Sequence, residues 1–181
     1  MRSLVLLTGA YGVGKSTLCS EIPLRHLKAS SLIFDYLNKQ PPKNKVVKDT
    51  AHLDENQRVL VEALKNTKIS TPTLLEGHTC LLDASNKIQR IPMSVFRAID
   101  LSGIIVVTRN MVSAHKALIV RDGGGYPLSS LIQLQNQELQ YTEQISHDLQ
   151  LPRLHIDLNL ISPEVVSKNI QDFITTSCTP A

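Results

Sequence analysis

The sequence has no tryptophan, and aromatic residues make up only 4% of it. Stacking platforms for single-stranded nucleic acid are therefore not evident, and any core must be aliphatic. The three cysteines, Cys19, Cys80 and Cys178, form no C-x-x-C pair and leave an odd thiol. That argues against a disulfide framework or a zinc site and favours a reducing compartment. Charge of one sign is also missing: the formal net charge is +3, with no long run of lysine or arginine. Lys39, Lys43, Lys45 and Lys48 are dispersed in one polar stretch. It reads as a solvated loop, or more sharply as a basic rim around an anionic substrate. Long apolar runs are absent too. Leu4–Leu7 is too short for a signal peptide, and no stretch approaches membrane-spanning length. The expectation is a soluble, cytoplasmic protein with no membrane partner and no indicated nucleic-acid partner.

What is present suffices for one folded domain: 181 residues, of which 42% are apolar. Short apolar runs alternate with longer segments of helical period, the pattern of an α/β domain with a mostly parallel sheet. The expected strands are Ser3–Thr8, Ser31–Asp35, Thr73–Glu76, Gly103–Thr108 and Arg153–Asp157. Helices are expected over Lys15–Leu27, ended or kinked by Pro23, and over Asp54–Lys65 and Leu131–Leu149. A last helix starts at Ser162-Pro163-Glu164 and runs to about Ile174. Gln40–Asp49 and Gly123–Pro127 read as mobile connections.

One motif carries chemistry by itself. Gly9-Ala10-Tyr11-Gly12-Val13-Gly14-Lys15-Ser16-Thr17 matches G-x-x-x-x-G-K-[ST], with an additional glycine at position 12. Glycines let the backbone wrap phosphate oxygens closely, and successive N–H groups with the positive end of the next helix face the anion. Lys15 reaches the β- and γ-phosphates of a triphosphate such as ATP, and the Ser16 hydroxyl is the expected Mg²⁺ ligand. The strand-like Leu4–Leu7 before it and the helix-compatible run after it strengthen the reading.

Other candidates are placed by the expected strand ends. Glu76 closes Thr73–Glu76 and suits the carboxylate that holds a Mg²⁺-bound water, with Asp83 a weaker alternative. His78 follows and is a candidate substrate contact, as is Asp35 at the end of the second expected strand, where a doubly wound sheet opens its ligand crevice. Arg109 and Arg121 are candidate cations over a transferring phosphoryl group, and the Gly-rich run after Arg121-Asp122 gives that segment the character of a lid. Arg58, Arg90 and Arg97 remain for an acceptor phosphate.

Taken together these residues resemble the small P-loop nucleoside and nucleotide kinases, and most closely the archaeal-type adenylate kinases. The resemblance rests on five places, and only the phosphate loop is specific by itself. The other four are Leu53-Asp54-x-x-x-Arg58, Glu76-Gly77-His78-Thr79 with Ile91-Pro92, Arg121-Asp122, and Asp157 with Ser162-Pro163-Glu164. It implies a three-layer fold with a five-stranded parallel sheet of order 2-3-1-4-5, an acceptor arm over residues 36–66 and a lid over 109–127. It further implies adenine near the loop after Asp157, and a nucleoside monophosphate acceptor. Three features depart from that pattern: Glu76 stands where Asp is commoner, His115 and Lys116 precede Arg121 in place of an arginine cluster, and the acceptor arm carries lysine. Two other functions fit the same loop: an ATPase switch or assembly factor with a protein or RNA partner, and a kinase of a non-nucleotide metabolite. No guanine-reading N/T-K-x-D motif is visible.

Overall fold

A computed structural model describes residues 3–39, 53–123 and 125–178. Its central strands are aliphatic on both faces because both faces are covered. β1 (Leu4–Thr8) and the later strand Gly103–Thr108 are buried along their whole length. In chain order the elements are β1, α1 (Lys15–Glu21), β2 (Arg25–Lys28), α2 (Ala29–Asn38), α3 (Leu53–Lys65) and β3 (Thr73–Glu76). A hairpin of β4 (Cys80–Leu82) and β5 (Ile88–Arg90) follows, then α4 (Met93–Ala98), β6 (Gly103–Thr108) and α5 (Met111–Asp122). The chain ends with α6 (Leu128–Leu149), β7 (Arg153–Asp157) and α7 (Pro163–Cys178).

Five strands form one parallel sheet in the order β2-β3-β1-β6-β7, which is the 2-3-1-4-5 arrangement expected. Helices flank it: α7 packs on β1 and β6, α1 on β3, and α6 on β6 and β7. One continuous aliphatic cluster, including Leu7, Leu74, Ile105, Leu134, Ile145 and Ile170, fills the space between sheet and helices. The active end is set by the strand directions, since parallel strands all deliver their C-terminal residues to one edge.

The second strand is not where the sequence places it. Ser31–Asp35 lies inside α2, and β2 is the polar Arg25-His26-Leu27-Lys28. Physically, β2 is an edge strand with one neighbour and mostly exposed side chains, so it carries no apolar signature. Leu32, Ile33 and Phe34 form a short apolar run whose period cannot separate strand from helix; Phe34 is in fact 65% exposed. The first helix is correspondingly shorter than Lys15–Leu27, ending at Glu21 before Pro23. The last helix runs past Ile174 to Cys178. Asp54–Lys65 and Leu131–Leu149 are helical as expected, each starting slightly earlier. Gln40–Asp49, with Lys43, Lys45 and Lys48, falls outside the described residues. No helix is long and apolar enough to cross a membrane among the described residues.

Candidate phosphate-transfer site

The loop between β1 and α1 turns through left-handed backbone that only glycine takes without strain. Gly9, Gly12 and Gly14 have φ of 148°, 77° and 106°. A side-chain carbon on Gly9 would strike the Val107 carbonyl oxygen of β6. One on Gly12 would sit 2.8 Å from the Ala114 carbonyl oxygen and 2.8 Å from Leu118 Cγ, so this additional glycine lets the loop lie against α5.

Lys15 is folded inward over that loop. Its Nζ donates to the carbonyl oxygens of Gly9 at 2.7 Å and Ala10 at 2.9 Å. Burial pulls its ammonium down to about 8, against the opposing pull of the Glu138 and Glu76 carboxylates. The next residue ties the loop to the neighbouring strand: Ser16 Oγ donates to Glu76 Oε1 at 2.6 Å. The same carboxylate meets His26 Nε2 at 3.2 Å through Oε2, with Lys28 Nζ 3.9 Å from Oε1. A hydroxyl and a carboxylate in contact beside a phosphate loop are the hard oxygen donors that suit Mg²⁺.

A second buried carboxylate sits behind the loop. Glu138 of α6 is fully buried and accepts from Thr8 Oγ1 at 2.7 Å and Thr79 Oγ1 at 2.5 Å. The backbone N–H groups of Thr79 and Cys80 also donate to it, at 3.1 and 3.3 Å. Burial opposes its ionisation, yet the hydrogen bonds from His78 and Thr79 and the Lys15 charge hold its carboxyl below the ordinary carboxylate value. His78 donates from Nδ1 to Glu138 Oε1 at 3.4 Å and packs edge-on to the Tyr11 ring, centroids 4.9 Å apart. Burial and then the Lys15 charge hold its imidazole below the ordinary value, so it is neutral near pH 7. Tyr11 in turn accepts from the Leu82 N–H at 3.1 Å and leans on Tyr126, centroids 5.0 Å apart.

These groups border two adjoining cavities. The first, about 390 Å³, is walled by Gly12, Gly14, Lys15, Ser16, Thr17 and, across from them, Arg109 and Arg121. The second, about 380 Å³, lies between α2, α3, α4 and β3 and is mainly aliphatic. Tyr11, Lys28, Glu76, His78 and Tyr126 line both, so the cavities meet at Glu76.

Most sequence-expected residues thus converge, with Gly9 and Val13 shaping the buried part of the loop. Three do not. Asp35 is exposed on α2 and lines neither cavity, because the strand expected to end at it is a helix. Arg97 is exposed on α4 away from both, and Arg58 faces a separate groove with Asp54 and Pro92. Arg90 stacks on Tyr141 at 4.8 Å, and Asp83 accepts from Ser85 and Lys87 N–H in the hairpin turn. Arg121 forms a two-point ion pair with Asp122, at 2.7 and 2.6 Å. Lys28, Gln57, Tyr126 and Glu138 line or support the site without having been singled out. Glu138 had a legible signal, since it falls on the apolar stripe Leu131, Leu134, Tyr141 and Ile145 of the long helix.

The glycine-turned loop, its buried lysine and the strand order define an α/β protein of P-loop fold. No protein-family model matches the chain, and no curated protein matches its sequence. Solved structures do resemble it. One is a gluconokinase from Sinorhizobium meliloti 1021, 12% identical, TM-score 0.53, covering 97% of this chain and 92% of that one. Another is the tunicamycin resistance protein of Deinococcus radiodurans, 17% identical, TM-score 0.62, covering 95% of each chain. At these identities the shared property is the fold, a five-stranded parallel sheet flanked by helices.

Proposed function

We propose that this chain is a Mg²⁺-dependent phosphotransferase moving the γ-phosphoryl of ATP to a small acceptor held in the aliphatic cavity. One observation carries the reading: a phosphate-loop cavity and a second, mainly apolar cavity meet at a carboxylate hydrogen-bonded to the motif serine. The name of one structural neighbour, a gluconokinase, agrees with phosphotransfer on this fold.

In this account the loop N–H groups and Lys15 hold the β- and γ-phosphates. Ser16 and Glu76 would hold Mg²⁺, which would supply positive charge to the phosphate oxygens. Arg109 and Arg121 face the same cavity from the proposed lid over 109–127, with Lys28 at the junction. The acceptor oxygen bonds to the γ-phosphorus as the bond to the ADP oxygen breaks, and the acceptor proton leaves to the Glu76 carboxylate. Positioning and charge neutralisation supply the rate. Adenine is assigned to the loop after Asp157, where Leu158 comes beside Gly14.

A nucleoside monophosphate is the acceptor that the sequence resemblance implies. The cavity wall favours a non-nucleotide acceptor. Among the described residues Lys28 is the one lysine or arginine lining it, and Arg58 and Arg97 point elsewhere. Lysine also lacks the fork that clasps a phosphate from two sides. The test is ADP release from Mg-ATP with and without nucleoside monophosphates and neutral alcohols, with Lys15→Ala as control. Acceptor-stimulated release with a phosphorylated product supports the reading. Release that no acceptor stimulates would point to an ATPase instead.

A further inference from the structure

Two unpartnered amide oxygens distinguish the aliphatic cavity. Gln57 is only 6% exposed, and its Oε1 is buried without a hydrogen-bond partner among the described residues. Asn56 Oδ1, on the next residue of α3, is in the same condition. Both side chains line the cavity. Buried polar atoms are nearly always satisfied, so an unpartnered amide on a residue that walls a cavity marks a place where an occupant can pair after a small side-chain rotation. Gln57 also borders the groove that holds Arg58. Around them Leu60, Leu75, Val95, Phe96 and Ile99 offer only apolar surface.

We infer that the cavity takes an uncharged alcohol with an apolar body and with polar groups that pair with the Gln57 and Asn56 amides. This rests on the phosphotransferase reading and names its acceptor class. The charge pattern disfavours an anionic acceptor. A carboxylate or phosphate in this space would lie among apolar side chains, two neutral amides and the Glu76 carboxylate. Lys28, the one lysine or arginine lining it among the described residues, sits 3.9 Å from Glu76 at the junction with the phosphate cavity. Burying such an anion beside a carboxylate, with its one cationic neighbour shared, is more costly than burying a neutral molecule. A neutral donor satisfies the amide oxygens instead, and a cavity of about 380 Å³ is at the small end of ligand sites. The acceptor's hydroxyl oxygen bonds to the γ-phosphorus, ADP leaves, and the hydroxyl proton goes to Glu76.

The test uses the full chain with Mg-ATP and two panels. The neutral panel is uridine, thymidine and 4-nitrophenyl N-acetyl-β-glucosaminide; the anionic panel is gluconate, UMP and AMP. ADP release and product mass are followed, and Lys15-dependent binding of a fluorescent ATP analogue is measured separately. At least one neutral compound should stimulate release about tenfold or more and be phosphorylated, while the anions stay inert. Gln57→Leu should then raise KM for that compound about tenfold, with KM for ATP unchanged, because a site built to pair a donor loses its discrimination when the partner is removed. Gln57→Asn, which keeps the carboxamide, should recover part of the loss. Gln57→Leu should also be at least as heat-stable as the parent without acceptor, a readout independent of activity. Stimulation by an anion with the neutral panel inert would overturn the acceptor class and leave phosphotransfer standing. A flat response to both panels, in protein that binds the ATP analogue, would also overturn it. Loss of analogue binding would instead remove the phosphotransferase reading itself.

Discussion

Ser16 Oγ lies 2.6 Å from Glu76 Oε1, and that hydrogen bond joins the first turn of α1 to the last residue of β3. β1 and β3 are adjacent and in register, with Leu7 opposite Glu76, and α1 packs on β3, so ordered elements hold both partners. Glu76→Gln should preserve the contact while removing the charge that Mg²⁺ needs. We expect turnover to fall on the order of a hundredfold, with metal-free ATP binding retained. Steady-state kinetics and nucleotide titration with and without Mg²⁺ check this.

Lys15 is 7% exposed and its pKa is lowered to about 8 from 10.5. The folded protein therefore carries a destabilised ammonium at neutral pH, at a cost on the order of 3 kcal/mol. Lys15→Met should abolish ATP binding yet raise the melting temperature at pH 7 by roughly 5 °C. The sign with pH follows from proton binding. Below about 8 both states hold the proton and the difference is constant. Between about 8 and 10.5 only the unfolded chain holds it, so the parent gains stability on the variant as pH rises. ATP affinity runs the other way, weakening above about 8 because binding needs the charged lysine. Melting curves and calorimetric titrations across this range measure both.

Glu138 is buried with Thr8, Thr79 and the Cys80 N–H donating to it. Glu138→Ala would leave those donors unpaired and should cost about 3–5 kcal/mol. Its carboxyl is held below the ordinary value of 4.5, so its contribution is complete above that pH and is lost as pH falls through the folded-state value. Urea unfolding should show Glu138→Gln clearly weaker than the parent at pH 7, with the gap narrowing under acid conditions.

Gly12 tests the packing of the loop on α5. At φ 77°, with the Ala114 oxygen and Leu118 Cγ each 2.8 Å from an added side-chain carbon, Gly12→Ala must shift the loop or the helix. We expect a loss of about 1–3 kcal/mol in stability and weaker ATP binding, measured by thermal unfolding and nucleotide titration.

The sequence made the central sheet legible because β1, β3, β6 and β7 are short aliphatic runs bounded by polar residues. It hid β2 because an edge strand of Arg25, His26 and Lys28 needs no apolar pattern, and with β2 went Lys28. The phosphate loop was legible since its residue types are dictated by backbone geometry around an anion. The aliphatic cavity was not, because Gln57 acquires meaning only when α3, α4 and β3 enclose it. Arg58 and Arg97 were drawn in by charge alone, which carries no direction. Glu138 was readable in principle as a carboxylate on an otherwise apolar helix face.

The central claim is that Lys15, Ser16 and Glu76 deliver the γ-phosphoryl of ATP to an acceptor and not to water. Following the label of [γ-³²P]ATP through Mg²⁺-dependent turnover with the neutral and anionic panels tests it most directly. The account predicts label in a new organic phosphoester, absent with Lys15→Met. Label found solely as inorganic phosphate, at a rate indifferent to every acceptor, would contradict it.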